Sequence, residues 1–558
     1  MSESGPWNPG IESQVPRELL HLSTIFRPEN VFTSIDAAAE LHGLTGIAIA
    51  ELAVFRPQRL ALHELLLRIT ADFAVPDGSR IEDLGLNFRE MARLMLSRYL
   101  DPGMEAIVGA YSLVRREIGA VTASALDGLS RDWGPQEISQ LERLGAAASA
   151  GAHAAACKSL ARVLSGLFAE QGRAWGTKQL IASIAIDLAC NDFGSDCIGA
   201  AIAPILSRAA QAQGYKLLPR QERPIVINTK GPSASGKSTL RPLQRRLAHD
   251  IGVAWSDFAL ISPDIWRKQL LDYSTLGSAY KYAGAFTSEE LQIVDHKLDR
   301  HMARKHRRGE MTHLLIDRFR FDSFAPDSAE EGSNLLTRFG QSVHLFFMIT
   351  PPQQLVERAW KRGLEVGRYK AVDDTLAHAV EAYSGIPDVF FTWVRRSDKR
   401  IQFEFLDNSV LFGERPRTVA FGDNETFNVL DIKGTLDIQR FARVSVDASA
   451  PERLYADPAL LAPEKNADFL RRCIEQFRRV NFAEQASGRI YLRIEAGIPI
   501  RKDPAALRTA ELNPDTLAGI RAAAPDAIRG AVPESERVEY LSEEDGGGML
   551  PTLGQWGR

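Results

Sequence analysis

The stretch Pro224-Ile-Val-Ile-Asn-Thr-Lys-Gly231-Pro-Ser-Ala-Ser-Gly236-Lys237-Ser238-Thr239 decides how the rest of this sequence reads. A short apolar run, Ile225–Asn228, leads into a loop that fits the full G-x-x-x-x-G-K-[S/T] pattern, and a helical pattern follows from Lys237 to His249. Each residue type has a physical task. The glycines let the loop curl until successive backbone N–H groups point inward at phosphate oxygens. The start of the helix adds its partial positive charge at the same place. Gly231, Ser233, Ser235, Gly236 and Thr239 shape and line this cradle, Lys237 is expected to reach the β- and γ-phosphates, and the Ser238 hydroxyl to complete the shell of a Mg²⁺ ion. A Gly/Ser-rich loop alone would be a weak sign. With a strand before it and a helix after it, the expectation is a site for ATP and Mg²⁺.

Downstream, four more apolar runs alternate with helical patterns: Phe258–Ile261, Thr312–Ile316, Val343–Ile349 and Ile401–Leu406. This alternation predicts a parallel sheet, hence an α/β P-loop NTPase fold over residues 222–412. Ligands in such sheets gather at the carboxyl ends of the strands. The second run ends Leu260-Ile-Ser-Pro-Asp264-Ile-Trp-Arg267, which places Asp264 to accept the proton of an attacking hydroxyl and Arg267 to bind the acceptor. An aspartate there would equally serve as a helix cap. The third ends at Asp317, followed by Arg318, Phe319 and Arg320. Asp317 is a candidate for Mg²⁺, and Arg318 and Arg320 for an anionic group of the acceptor, with a turn of local ion pairs as the plainer reading.

After the fourth run, Thr350-Pro-Pro352 opens a helix in which Arg358 and Arg362 share a face. Gly363 is expected to break it, and Arg368 follows Gly367. Arginines on a broken helix suit a lid that closes over the transferred phosphoryl group; a solvated charged face is the alternative. No Asn-Lys-x-Asp motif of a GTPase is present, and Leu314-Leu-Ile-Asp317-Arg318 lacks the second acid usual in motor and AAA-type ATPases. The expected activity is therefore transfer of the ATP γ-phosphate to a hydroxyl of a small molecule. Two other readings stand beside it. One is a nucleotide-dependent switch without transfer. The other is a polynucleotide kinase, prompted by the basic helix Asp295–Arg308, whose polar face is expected to meet water.

The chain has 558 residues, 45% hydrophobic and 25% charged, enough for more than one buried core. A net charge of −4 argues against a nucleic-acid coat. Cys157, Cys190, Cys197 and Cys473 show no C-x-x-C spacing, which predicts buried thiols in a reducing cytoplasm and neither a zinc site nor a disulfide framework. The N-terminus carries no basic segment followed by an apolar one, so a cytoplasmic location is expected. The most apolar stretch, Leu180–Leu206, is interrupted by Asp187, Asn191, Asp192, Gly194 and Asp196, short of the ~20 uninterrupted residues that span a bilayer.

Residues 1–213 read as an all-α domain of unknown role. Pro57 starts a helix with Leu62, Leu65, Leu66, Ile69 and Phe73 on one face, and further helical patterns cover Asn87–Tyr99, Glu105–Glu117, Pro135–Leu164 and Thr177–Ala189. His63-Glu64 lacks the second histidine of a zinc-protease helix, so His63 reads as a packed or surface residue. A linker with Gly214, Pro219 and Pro224 precedes the P-loop domain. Residues 413–540 read as a mixed α+β C-terminal extension with one strand near Arg489–Ile494, and residues 541–558 as a flexible tail.

The order Gly231-Pro-Ser-Ala-Ser-Gly-Lys-Ser-Thr239, Pro263-Asp264-x-x-Arg267, Glu357-Arg358…Gly367-Arg368…His378 and Phe405-Leu-Asp-Asn-Ser409 resembles the zeta-toxin family of P-loop kinases, over about one third of the chain. The resemblance implies an adenylate-kinase-like five-stranded parallel sheet and phosphorylation, with ATP and Mg²⁺, of a hydroxyl on a nucleotide sugar such as UDP-N-acetylglucosamine. Related kinases of that fold act on NAD. It also implies Asp264 as base, Lys237 as the ATP lysine, and Arg358 and Arg368 over the phosphates. Phe319 and Phe321 stand where the family usually carries small residues, which implies a different acceptor pocket. Zeta toxins are held by a helical antitoxin, so the N-terminal helical domain is expected to restrain the kinase in cis.

Overall fold

A computed structural model of the protein describes residues 4–129, 133–147, 151–173, 176–318, 336–411, 413–511, 513–529, 533, 537–541 and 552–556. The chain divides into two compact units: Val15–Leu217 with Pro263–His301, and Met1–Gln14 with Leu218–Ser262 and Met302–Arg558. The sequence placed 263–301 with the phosphate loop; in the structure these residues pack with the helical half instead.

The helical unit is built around Pro57–Asp72, which starts at a proline because that position needs no N–H donor. The apolar stripe read from the sequence understates its burial. Leu60, Leu65, Leu66 and Ile69 are covered, but so are His63 and Glu64, so the helix is enclosed on nearly every side. The pattern expected to run from Pro135 to Leu164 is two helices, Pro135–Ala147 and Ala152–Gln171, the second starting after Gly151 at φ 113°. Thr177 caps Lys178–Ala189 by accepting from Leu180 N, as its hydroxyl and position dictate. Leu141, Leu160, Leu164, Ile181 and Ala185 form the core between these helices. Pro263–His301 adds short helical turns whose Leu271, Leu276, Ala283 and Phe286 pack with Leu19 and Leu22. Its last helix, Ser288–Arg307, departs from expectation: Asp295, Lys297, Asp299, His301 and Lys305 on its polar side are buried, not solvated. Apolar surroundings force buried charges to find partners within the fold.

The second unit is a mixed α/β sheet. Its strands are β1 (Ile225–Lys230), β2 (Phe258–Ile261), β3 (His313–Asp317), β4 (Ser342–Ile349) and β5 (Arg400–Asp407). They continue as β6 (Arg417–Asp423), β7 (Thr426–Val429), β8 (Arg479–Ala483), β9 (Ile490–Glu495) and β10 (Ile498–Lys502). Ten strands lie in the order β10-β9-β8-β7-β6-β5-β4-β1-β3-β2. Pairs β2·β3, β3·β1, β1·β4 and β4·β5 are parallel, and β1 through β4 are buried along almost their whole length, the pattern of strands covered on both faces. The antiparallel pair β5·β6 then carries the sheet on into the C-terminal third. That region is thus not a separate layer. It supplies half the strands of one sheet. Phe390, on the helix Val372–Val394, meets Phe347, Phe403, Phe405 and Phe469 edge-on and forms an aromatic core that spans the parallel strands and the extension.

Of the expected flexible tail, residues 542–551 lie outside the described residues, and 552–556 dock on the sheet. Glu404 of β5 accepts from Leu553 N (2.6 Å) and Gly554 N (2.9 Å), Gln555 pairs with Arg417, and Trp556 stacks on Phe421. Backbone and aromatic partners offset the ordering entropy that a polar tail otherwise retains. Among the described residues no helix is long and apolar enough to cross a membrane. Cys157, Cys190 and Cys473 are buried free thiols, and Cys197 is half-buried.

Candidate phosphate-binding site

β1 delivers the chain into Gly231, and the loop after it departs from ordinary backbone geometry. Ala234 takes φ 64°, a region that side-chain-bearing residues rarely adopt, and Gly236 takes φ 93°. At Gly236 a Cβ would lie 2.3 Å from Asn408 Nδ2, so any other residue would be strained and would displace the Asn408 amide. Two neighbours brace the loop. Asn408, just past β5, donates from Nδ2 to Ser235 O at 2.8 Å, and Thr350, just past β4, donates from Oγ1 to the same carbonyl at 3.2 Å. The Ser235 hydroxyl is buried and has no hydrogen-bond partner among the described residues. Such strain and such an unpartnered polar atom persist where surrounding structure holds them, commonly at ligand sites.

The chain then turns through Lys237–Leu240 into the helix Arg241–Asp250. Gln244 Nε2 donates to Thr229 Oγ1 at 2.8 Å, seating the helix on β1. Lys237 Nζ reaches back to Gly231 O (3.1 Å) and Pro232 O (2.9 Å). Ser238 Oγ donates to Asp317 Oδ2 at 2.6 Å, and Arg241 approaches the same carboxylate oxygen at 3.9 Å. Asp317 is the last residue of β3, in register with Thr229 of β1. Thr239, expected to line the cradle, is exposed, and its hydroxyl donates back to Gly236 O at 2.6 Å. Ser233 is half-buried in the loop. Arg318 is buried directly after Asp317, and Arg320 lies outside the described residues.

The predicted lid differs from its sequence reading. The helix Pro352–Val366 runs unbroken through Gly363 and ends at Gly367, whose φ of 72° suits a helix stop. Gly363 serves close packing instead: a Cβ there would lie 2.5 Å from the Tyr369 ring, which also meets Trp360 edge-on at 5.7 Å. Arg358 donates from Nη2 to Asn408 O (2.7 Å) and Val410 O (3.2 Å), so it braces the residue that braces the loop. Arg368 is half-buried. Two residues on, Lys370 Nζ donates to His378 Nδ1 and lies 3.6 Å from Asp374. Burial, opposed by Asp374 and reinforced by Arg362 and Arg368, pushes the Lys370 ammonium down to about 7. Sequence reading passed over Lys370 because nothing local marks a lysine as buried.

Asp264 and Arg267 belong to the helical unit. Asp264 opens the turn Pro263–Trp266, three residues past the end of β2, with its side chain 46% exposed. Arg267 Nε donates to Asp264 Oδ1 at 2.9 Å, while its Nη1 donates to Gly284 O, Thr287 Oγ1 and Ser288 Oγ at 2.6, 2.8 and 3.2 Å. Most of this guanidinium is therefore engaged inside the unit.

A large mixed α/β sheet flanked by helices, with this loop at the carboxyl end of its central parallel strand, is consistent with an α/β nucleotide-binding fold. A scan against protein-family models found no match, and a search of curated proteins found none. Among solved structures, the chain is similar to one from a characterisation of the PezAT chromosomal toxin–antitoxin system of the human pathogen Streptococcus pneumoniae. That likeness has 20% identity and a TM-score of 0.23, over 36% of this chain and 74% of the other. A likeness of that size carries no argument about activity.

Proposed function

We propose that the protein is an ATP-dependent P-loop kinase that transfers the γ-phosphate to a hydroxyl of a small molecule. The observation that carries this reading is the Ser238–Asp317 contact beside the strained loop, with β2-β3-β1-β4-β5 as neighbours in parallel. A degenerate binder would need the loop but not a carboxylate at the end of the neighbouring strand; a nucleotide switch would keep both, and product formation separates it from the kinase.

In this reading the loop N–H groups and Lys237 hold the ATP phosphates. Ser238 and Asp317 supply hard oxygen donors, the kind Mg²⁺ accepts alongside phosphate and water, and one or two such groups suffice. Bound there with ATP, Mg²⁺ would neutralise charge on the β- and γ-phosphates. Asp264 takes the proton of the acceptor hydroxyl as its oxygen bonds to the γ-phosphorus and the bond to ADP breaks. Arg358 and Arg368 would offset negative charge on the transferred group once the lid engages. A nucleotide sugar or an NAD-like nucleotide as acceptor, cis-restraint by the helical unit and a cytoplasmic location rest on the resemblance and the composition alone.

The test is incubation of the protein with ATP, Mg²⁺ and a bacterial metabolite extract, beside Lys237→Ala and Asp264→Asn, followed by mass spectrometry for species heavier by one phosphate. A product made only by the wild type supports the kinase and identifies its acceptor. ATP binding with no product across extracts would replace it with the switch.

A further inference from the structure

Within the helical unit a continuous chain of contacts runs from the surface carboxylate of Asp264 to an ionic cluster in the interior. Arg267 links Asp264 to Thr287 and Ser288 at the start of the helix Ser288–Arg307. Two residues later, Glu290 is fully buried and accepts from Arg59 Nε (2.5 Å), Arg59 Nη2 (2.7 Å) and His63 Nε2 (2.7 Å). Arg59 Nη2 also donates to Leu270 O at 2.7 Å, so one guanidinium ties the turn after Asp264 to the helix that seats Arg267. Trp266 Nε1 adds a bond to Thr70 Oγ1 at 3.1 Å. Two helix turns onward, Lys297 Nζ donates to His63 Nδ1 (3.1 Å) and Ser195 Oγ (3.0 Å), and Ser195 Oγ donates to Glu64 Oε1 (2.8 Å). The two ring contacts of His63 require a neutral imidazole with its proton on Nε2. Burial, with Lys297 beside it, pushes His63 down to about 4 and agrees with the neutral ring.

A cluster of this kind is a poor way to gain stability. Burying charges costs several kcal/mol each in desolvation, and apolar replacements are often as stable. What a bidentate Arg–carboxylate pair adds is fixed geometry. We propose that Arg59 and His63, acting through Glu290, are positioning residues for Asp264: the helical unit fixes the seat of Arg267 and, with it, the direction of the catalytic carboxylate. The inference rests on Asp264 as the base and gives the helical unit a part in the chemistry.

The test uses the full-length chain with Glu290→Gln, Arg59→Met and Arg59→Lys, and two readouts. Amide hydrogen exchange over residues 263–288 needs no activity. Phosphotransfer from ATP into a bacterial metabolite extract gives kcat and the KM for ATP. The expected result is faster exchange confined to 263–288 in Glu290→Gln and Arg59→Met. Their kcat should fall about 10- to 100-fold, as small misplacements of a catalytic group do, with the KM for ATP unchanged. Arg59→Lys should recover only part of the loss, since an ammonium cannot replace the two-pronged contact. Unchanged exchange and kcat would overturn the inference, and so would a fall in kcat matched by global loss of protection and of ATP affinity. If Arg59→Met does not fold, the near-isosteric Glu290→Gln decides. A wild type that transfers no phosphate would remove the kinase reading instead, leaving the exchange result to judge the anchoring of the Asp264 segment.

Discussion

Ser238 Oγ donates a 2.6 Å hydrogen bond to Asp317 Oδ2, joining the first turn after the phosphate loop to the end of β3. With a divalent ion bound, both oxygens would turn to it. Asp317→Asn removes one charge without changing shape. Phosphotransfer at saturating ATP should then fall about 100-fold, as when one electrostatic partner of a transition state is lost. The Mg²⁺ concentration for half-maximal rate should rise. Magnesium titrations of wild type and variant decide this; an identical requirement would take Asp317 away from the metal.

Asn408 serves two masters, holding Ser235 O with its amide and receiving Arg358 on its carbonyl. Asn408→Ala strips the first contact and leaves the Ser235 carbonyl to Thr350 alone, at a cost of about 0.5–1.5 kcal/mol. The urea midpoint should drop accordingly, and ATP affinity, read by calorimetry, should weaken with it. Loss of stability at undiminished affinity would mean that the loop holds its shape without this brace.

Gly363 tests the packing of the helix Pro352–Val366. Placing a methyl group 2.5 Å from the Tyr369 ring forces Tyr369 or the helix to move, which typically costs about 1–3 kcal/mol. The double variant Gly363→Ala/Tyr369→Ala should lose less than the sum of the two single changes, because one substitution relieves the other. Strict additivity by thermal melts would rule out the clash.

Lys370 makes stability depend on pH. Its ammonium is pushed from 10.5 down to about 7 in the folded chain, first by burial, against the opposing pull of Asp374. Between those two values the unfolded chain binds the extra proton and the folded chain does not. Stability therefore rises with pH across that window, and the full penalty is felt below about 7. Melting temperatures of wild type minus Lys370→Met should climb from pH 6 to 9; a flat difference would refute a buried, easily discharged lysine.

A chain beginning at Leu218 would test the helical unit from the other side. It leaves Leu271, Leu276 and Phe286 without Leu19 and Leu22, and Glu290 without Arg59 and His63. We expect insoluble or exchange-labile protein, as exposed apolar surface and an unpaired buried charge both dictate. A soluble, fully active product would favour restraint in cis over positioning.

The phosphate loop and the five parallel strands were legible because they are local: β-branched runs, glycines and a lysine at fixed spacing. Expected and observed strand ends differ by one or two residues, as for Thr312–Ile316 against His313–Asp317. Asp317 was legible for the same reason, standing at the end of an apolar run. What eluded the sequence was long-range. His63 read as a bland packed residue because its partners, Glu290 and Lys297, lie more than 200 positions away. The polar face of Ser288–Arg307 read as solvated because periodicity shows which residues share a face but not what covers it. Gly363 read as a helix breaker because propensity cannot register the ring of Tyr369 pressed against it.

The passage of the chain out of the helical unit at Leu217 and back into it at Pro263 has a consequence for biosynthesis. When residue 217 leaves the ribosome, Arg59, His63 and Ser195 already exist, but the helix bearing Glu290 and Lys297 has yet to be made. At ~5–20 residues per second that helix arrives on the order of ten seconds later. Until then, nascent chains must carry a half-built, charge-lined interior through the crowded cell, the interval in which a chaperone would be needed.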